Sequence, residues 1–275
     1  MFFQPTLLLL SLIAPAALGH EHYGTTLYPR AEGGAAAPKF GYHGLDGPLN
    51  WYSLDKDANE LCAKGTHQSP INVAGSACAA TPSSLSIKIP AAPHGAELEN
   101  LGTTVDVTTN GTLLNAGKKS DLVQFHFHTP SEHAVDGKYY PMEVHFVFQA
   151  ADASISVVGF LIELGPLDPL LGAVLAGLPY IPFTGNVTHT KPLDFTALEK
   201  HFASSGTYQY AGSLTTPPCS EGVSWTLSCK PLSVDVAGYE AITDLIKFNA
   251  RYTQNNEGVN LLEHSALEQV LARIN

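Results

Sequence analysis

Basic side chains are scarce in this chain: Lys and Arg together number 14 against 25 Asp and Glu, for a formal charge of -11 and a pI near 5.4. Proteins that grip nucleic acid use clustered Lys and Arg to release counterions from phosphates, so a nucleic-acid surface is excluded. Long apolar runs are also missing. The one uncharged apolar stretch, Leu7 to Leu18, falls short of the roughly 20 residues that a bilayer span needs. No second span follows it, and the charged end "LLEHSALEQVLARIN" is unlike a GPI tail, so no membrane anchor is expected. Neither heptads nor self-similar blocks of about 20 to 50 residues occur, which excludes a coiled coil or a solenoid.

What is present points to a secreted globule. An apolar content of 44% in 275 residues is enough for one sizeable core. The start, "MFFQPTLLLLSLIAPAALGH", has the layout of a signal peptide spanning 1–19, with cleavage expected after Gly19. Residues 20–39 are rich in Gly, Ala and Pro without periodicity and read as a flexible lead-in, which leaves 40–275 as a single domain. Four cysteines, Cys62, Cys78, Cys219 and Cys229, agree with an oxidising compartment, and three pairings are open. Sequons at Asn110 and Asn186 are candidate glycosylation sites in a eukaryotic host.

Strands dominate the domain. Six β-prone runs bounded by Gly, Pro, Asn or Asp cover 85–89, 103–109, 122–128, 139–149, 154–161 and 223–229. Helices are predicted at 169–176 behind Asp168, at 195–203 behind Asp194 and at 236–248 behind Asp235, the last with Val236, Tyr239, Ile242, Leu245 and Ile246 on one face. Residues 262–274 also carry helical spacing.

The informative stretch is "QFHFHTPSEH", residues 124 to 133. Side chains of a strand alternate between its two faces, so Gln124, His126 and His128 share one face and Phe125 and Phe127 the other. In "MEVHFVF" the same rule puts Glu143, His145 and Val147 together. If the two strands are antiparallel, His145 meets the His126/His128 pair at roughly 5 Å. Three neutral imidazoles with an open fourth position make a catalytic Zn2+ site. Gln124 and Glu143, each two residues before a ligand, are placed to hold the second ring nitrogen of that ligand.

These segments, with "GSLTTPPCSEGVSW" at 212–225, "HQSPINV" at 67–73 and "GYHGLDGPLNW" at 41–51, stand in the order found in α-class carbonic anhydrases, and the chain resembles that family in its fungal, plant and bacterial form. The resemblance implies a mainly β (α+β) fold, a central twisted and mostly antiparallel sheet of about ten strands with short peripheral helices. It implies hydration of CO2 to bicarbonate and a proton by a zinc-bound hydroxide, with His126, His128 and His145 as ligands and Asn249 steadying His128 through its carbonyl. Thr215 and Glu132 match the pair that orients the hydroxide. Val147, Val157, Leu214, Val223 and Trp225 match the apolar wall where CO2 waits, and Thr216 lines the same cavity. Members that are secreted carry a disulfide matching Cys62–Cys219, and Cys78–Cys229 is then the remaining pair.

The chain departs from the family at two cavity positions. Thr103 stands where fast members have a proton-shuttling histidine, and threonine does not titrate near neutral pH; His43 and His94 are the other groups that could carry the proton. Asp106 puts a carboxylate near the cavity mouth where a polar amide is common. Rival readings are an inactive binding or storage protein on the same scaffold and a copper oxidoreductase built on His20. The expected partner is the small substrate, CO2 or bicarbonate, and the oligomeric state is open, with a homodimer one option.

Overall fold

The computed structural model describes residues 39–254. The expected signal peptide, His20 with nearly all of the lead-in, and the helical spacing at 262–274 lie outside the described residues.

In chain order the strands begin with β1 (Asn72–Val73), β2 (Leu85–Lys88), β3 (Glu97–Asn100), β4 (Val105–Thr108) and β5 (Thr112–Asn115). The histidine segment forms β6 (Lys118–His128), followed by β7 (Ala134–Val135), β8 (Lys138–Tyr139), β9 (Met142–Ala150) and β10 (Ile155–Leu164). Then come β11 (Val187–His189), β12 (Thr207–Ser213), β13 (Glu221–Ser228) and β14 (Leu232–Val234). Eleven strands make one mixed sheet whose main path is β11-β3-β4-β6-β9-β10-β13-β12, with β5 against β6, β2 against β5 and β14 against β10. Within this sheet pairing is antiparallel except where β10 meets β13 and β14. The strands β1, β7 and β8 form a separate small sheet.

The alternation in β6 and β9 divides the sheet into two chemically different faces. Phe125, Phe127, Val144, Phe146, Phe148, Val158 and Phe160 join one large apolar cluster, in which Phe125 stacks on Phe146 at 4.7 Å between ring centroids. Helices α3 (Pro169–Leu175), α4 (Thr196–Ser205) and α5 (Val236–Ile246) cover this face through Leu170, Val174, Leu198, Phe202, Ile242 and Ile246. The opposite face carries the histidines. A shift of register between Leu122 and Gln124 in β6 separates the two roles. Leu122 pairs with Phe148 on the core side, whereas Gln124 pairs with Val147; without the extra residue Val123, Leu122 and Gln124 would point the same way.

The helix ends follow their capping chemistry. Asp168 accepts from the backbone N–H of Leu170 and Leu171, and Asp235 from that of Gly238. Two expectations need correction. Val236 is 57% exposed, whereas Tyr239, Ile242, Leu245 and Ile246 do face the apolar cluster, and α5 ends at Ile246 with Lys247 at φ 57°. The short helices α1 (Trp51–Leu54) and α2 (Glu60–Lys64) have too few residues to show a period.

Candidate metal centre

Strand β6 runs antiparallel to β9 with His126 directly opposite His145 and His128 opposite Glu143. One ring nitrogen from each of His126, His128 and His145 lies within 4.8 Å of the others, and all three residues are buried. The other ring nitrogen of each is engaged with an acceptor. His126 Nδ1 meets Gln124 Oε1 at 2.8 Å, His128 Nδ1 meets the Asn249 carbonyl at 2.9 Å, and His145 Nε2 meets Glu143 Oε1 at 2.8 Å. Because each partner accepts, these ring nitrogens donate. Bare lone pairs are left on Nε2 of His126, Nε2 of His128 and Nδ1 of His145.

Burial lowers the basicity of all three rings: His126 is held well below the usual imidazole value, His128 falls to about 4 despite the pull of the Asn249 carbonyl, and His145 is lowered although Glu143 opposes the shift. Three uncharged nitrogen donors at one point are the chemistry Zn2+ takes, and His128 Nε2, buried, makes no hydrogen bond among the described residues. The residues fit a zinc ion. A second group close enough to hold a metal, His133, Glu143 and His145, has already used its atoms on one another at 2.7 and 2.8 Å.

The pH dependence of the metal-free protein follows from these shifts. An unfolded imidazole takes up a proton near pH 6.5 whereas the folded site refuses it, so stability is present above that pH and is lost as pH falls through the folded values. Glu132 works in the opposite sense, since burial pushes it up to about 7 against the pull of His145, the Arg251 N–H and the Thr215 hydroxyl. Three rings outweigh one carboxyl. Chelator-stripped protein is expected to lose stability progressively as pH falls from about 6.5 toward about 4.5, read as a falling urea midpoint.

Glu132 is fully buried. Its Oε1 accepts from the backbone N–H of Arg251 at 2.8 Å, and Oε2 lies 3.6 Å from His128 Nε2 and 3.9 Å from His145 Nδ1. The Thr215 hydroxyl helps to hold the carboxylate down, although Oε2 has no partner of full hydrogen-bond geometry. Thr215 and Thr216 are buried in a loop closed by Leu214 N–H to the Ser220 carbonyl at 2.9 Å and Cys219 N–H to the Thr216 carbonyl at 2.8 Å. Cys62–Cys219, the pairing that the resemblance implies, tethers that loop, and the remaining pair, Cys78–Cys229, forms the second bridge. Val147, Val157, Val223 and Trp225 form one apolar cluster with Leu214 packed against it. The indole of Trp225 lies 4.8 Å from the His145 ring between centroids, so the apolar patch borders the candidate metal ligands.

Residues 46–260 match the model of the eukaryotic-type carbonic anhydrases. The chain belongs to this family. A solved structure of a fungal alpha carbonic anhydrase from Aspergillus oryzae is 52% identical with a TM-score of 0.78, over 82% of this chain and 98% of that one. A carbonic anhydrase of Neisseria gonorrhoeae is 36% identical over 208 residues, 74% of this chain and 79% of its own. The scaffold is shared with dioscorin, solved in complex with ascorbate, at 29% identity and a TM-score of 0.70, over 79% of this chain and 94% of that one.

Within this carbonic anhydrase framework Thr103 is half-buried, and its carbonyl accepts from Asn249 Nδ2 at 2.8 Å. His43 and His94 are exposed. Asp106 is the register partner of His126 and is buried, so it sits beside the candidate ligands. The sequence reading overlooked His133. Its Nδ1 meets Glu143 Oε1 at 2.7 Å and its Nε2 meets the Tyr210 hydroxyl at 2.7 Å, and Tyr210 donates to Ser69 Oγ at 2.8 Å. His133 closes the motif itself and Glu143 follows ten residues later, but Tyr210, the partner of its other ring nitrogen, lies 77 residues away in sequence. His133→Ala leaves Glu143 short of a donor, and the expected result is metal retention about 10- to 100-fold weaker in a chelator competition.

Proposed function

We propose that this carbonic anhydrase family member is a secreted zinc enzyme that catalyses reversible hydration of CO2 to bicarbonate and a proton. The observation that carries the proposal is the convergence of three ring nitrogens whose opposite nitrogens are each tied to Gln124, Asn249 or Glu143. His126, His128 and His145 would hold the ion. Zinc, when bound there, supplies the Lewis acidity that brings the pKa of a water to about 7, the value known for carbonic anhydrases as a class.

The remaining work belongs to this chain's side chains. Neutral imidazoles leave the ion's charge undiminished, and Glu143, held well below the usual carboxylate range by its polar contacts with the His133 and His145 rings in spite of its burial, keeps His145 oriented. The Thr215 hydroxyl, directed at Glu132, would be left with lone pairs toward the cavity, so it would accept from an O–H there and orient that oxygen toward the substrate. CO2 offers no hydrogen-bonding handle, and the patch of Val147, Val157, Leu214, Val223 and Trp225 suits it, with Thr216 beside it. Two disulfides and the absence, among the described residues, of a helix long and apolar enough to cross a membrane fit an extracellular setting.

Stopped-flow CO2 hydration by purified protein, with and without a chelator, tests the reading. One zinc per chain and a rate lost on chelation support it. Metal-free native protein without hydration activity would support the binding or storage alternative, and copper would support the oxidoreductase. With Thr103 at the shuttle position, imidazole buffer is expected to raise kcat, and a rate indifferent to buffer would assign proton transfer to a residue such as His43 or His94.

A further inference from the structure

A groove of about 490 Å3 opens on the surface among Lys88, Pro90, Asp121 and Glu199, and none of its lining residues belongs to the metal centre. Its floor is apolar, made by Ile89 and Leu122, which are 4% and 7% exposed. Its rim is polar: Lys88 Nζ and Glu199 Oε2 pair at 2.6 Å, while Glu199 Oε1 accepts from the Ile89 N–H at 2.8 Å. The remaining lining residues are Asn110, Gly111 and Thr112, the whole of one sequon. The volume falls within the range of small-molecule sites, roughly 300–1,000 Å3, but the walls carry more charge than such sites usually do.

The middle residue of the sequon explains how it comes to lie there. A Cβ at position 111 would stand 3.0 Å from Ile89 Cγ1 and 3.1 Å from Leu122 Cδ2. Glycine therefore lets the backbone settle onto the floor, where its carbonyl accepts from the Leu122 N–H at 2.9 Å. Asn110 itself is exposed, at the lip. A pyranose has an apolar C–H face and a rim of hydroxyl and acetamido groups, which matches an apolar floor ringed by carboxylates and an ammonium. We infer that Asn110 carries an N-linked glycan whose first N-acetylhexosamine is seated in this groove.

The bond is made during secretion. Asn110 Nδ2 forms a bond to C1 of an oligosaccharide carried on a lipid pyrophosphate, the C1–O bond to the pyrophosphate breaks, the lipid pyrophosphate leaves, and the amide nitrogen gives up one proton. The inference rests on the secreted reading but not on the enzymatic one. The sequon at Asn186 provides a contrast. It lies at the start of the three-residue strand β11, with Asn186 Oδ1 accepting from the Phe183 N–H at 3.0 Å, and none of its residues lines the groove.

The test uses full-length protein secreted from a eukaryotic host. Peptide mapping is expected to find a glycan on Asn110. An endoglycosidase that leaves only the first sugar is expected to preserve Tm, whereas Asn110→Gln lowers it by about 2–4 °C. Release of the Asn110 glycan by a peptide N-glycosidase is expected to be at least about tenfold slower from native than from denatured protein. An unmodified Asn110, equal melting of Asn110→Gln and glycosylated protein, or equal release from native and denatured chains would each overturn the inference. CO2 hydration, measured in parallel, is expected to be unchanged in Asn110→Gln, which keeps this test separate from that of the metal centre.

Discussion

His145→Ala is expected to leave a folded protein that no longer holds zinc and whose CO2 hydration falls by more than about 100-fold, beyond the range produced by losing a single outer partner of a metal ligand. The physical reason is the number of donors. Three imidazoles are the minimum that catalytic zinc sites of this kind use, and two remaining rings cannot fix the ion against solvent and chelator. His145 also belongs to a packed structure, bordered by Trp225 and His133 with ring centroids 4.8 and 6.1 Å away. The substitution therefore leaves Glu143 with one hydrogen-bonded ring, His133, in place of two. Metal analysis after dialysis, circular dichroism and stopped-flow hydration check the result together. A variant that kept a full complement of zinc and the parent rate would end the ligand assignment.

Removing the Cys62–Cys219 bridge is expected to have a large effect on stability. The bridge joins residues 157 apart in sequence, and bridges across long segments restrict the unfolded chain enough to contribute about 2–5 kcal/mol. Taking about 2–4 °C per kcal/mol for a domain of this size, Cys62→Ala/Cys219→Ala is expected to lower Tm by roughly 5–15 °C. The second bridge, Cys78–Cys229, spans 151 residues and has a similar entropic effect, so the comparison isolates position. Cys219 borders the loop of Thr215, and its carbonyl accepts from Gln68 Nε2 at 3.0 Å, while the Cys62 carbonyl accepts from Arg251 Nη2 at 3.2 Å. Loss of the first bridge is expected to reduce kcat as well as Tm; loss of the second is expected to reduce Tm alone. Calorimetry and hydration kinetics on the two double variants separate these effects.

Local periodicity made the ligand strands legible because burial on one face and polarity on the other repeat every second residue. The cluster of His126, His128 and His145 needed only that rule and an antiparallel pairing. The rule failed a short distance upstream. The register shift at Val123 lets Leu122 join the core while Gln124 supports His126, and a bulge leaves no alternation to read. Strands such as β3 and β5, four residues each, were missed because their sequences mix polar and apolar residues too briefly to establish a period. The same brevity hid α1 and α2.

By itself, the sequence determined which residue types could bind and act, and which face of the two histidine strands they would occupy, because side-chain alternation is a property of the local backbone. Only the tertiary structure decided how they are held. The Asn249 carbonyl reaches His128 across 121 residues of chain, Arg251 reaches Glu132 across 119, and Tyr210 reaches His133 across 77. Hydrogen bonds of that kind are formed by the packing of distant segments around a desolvated site.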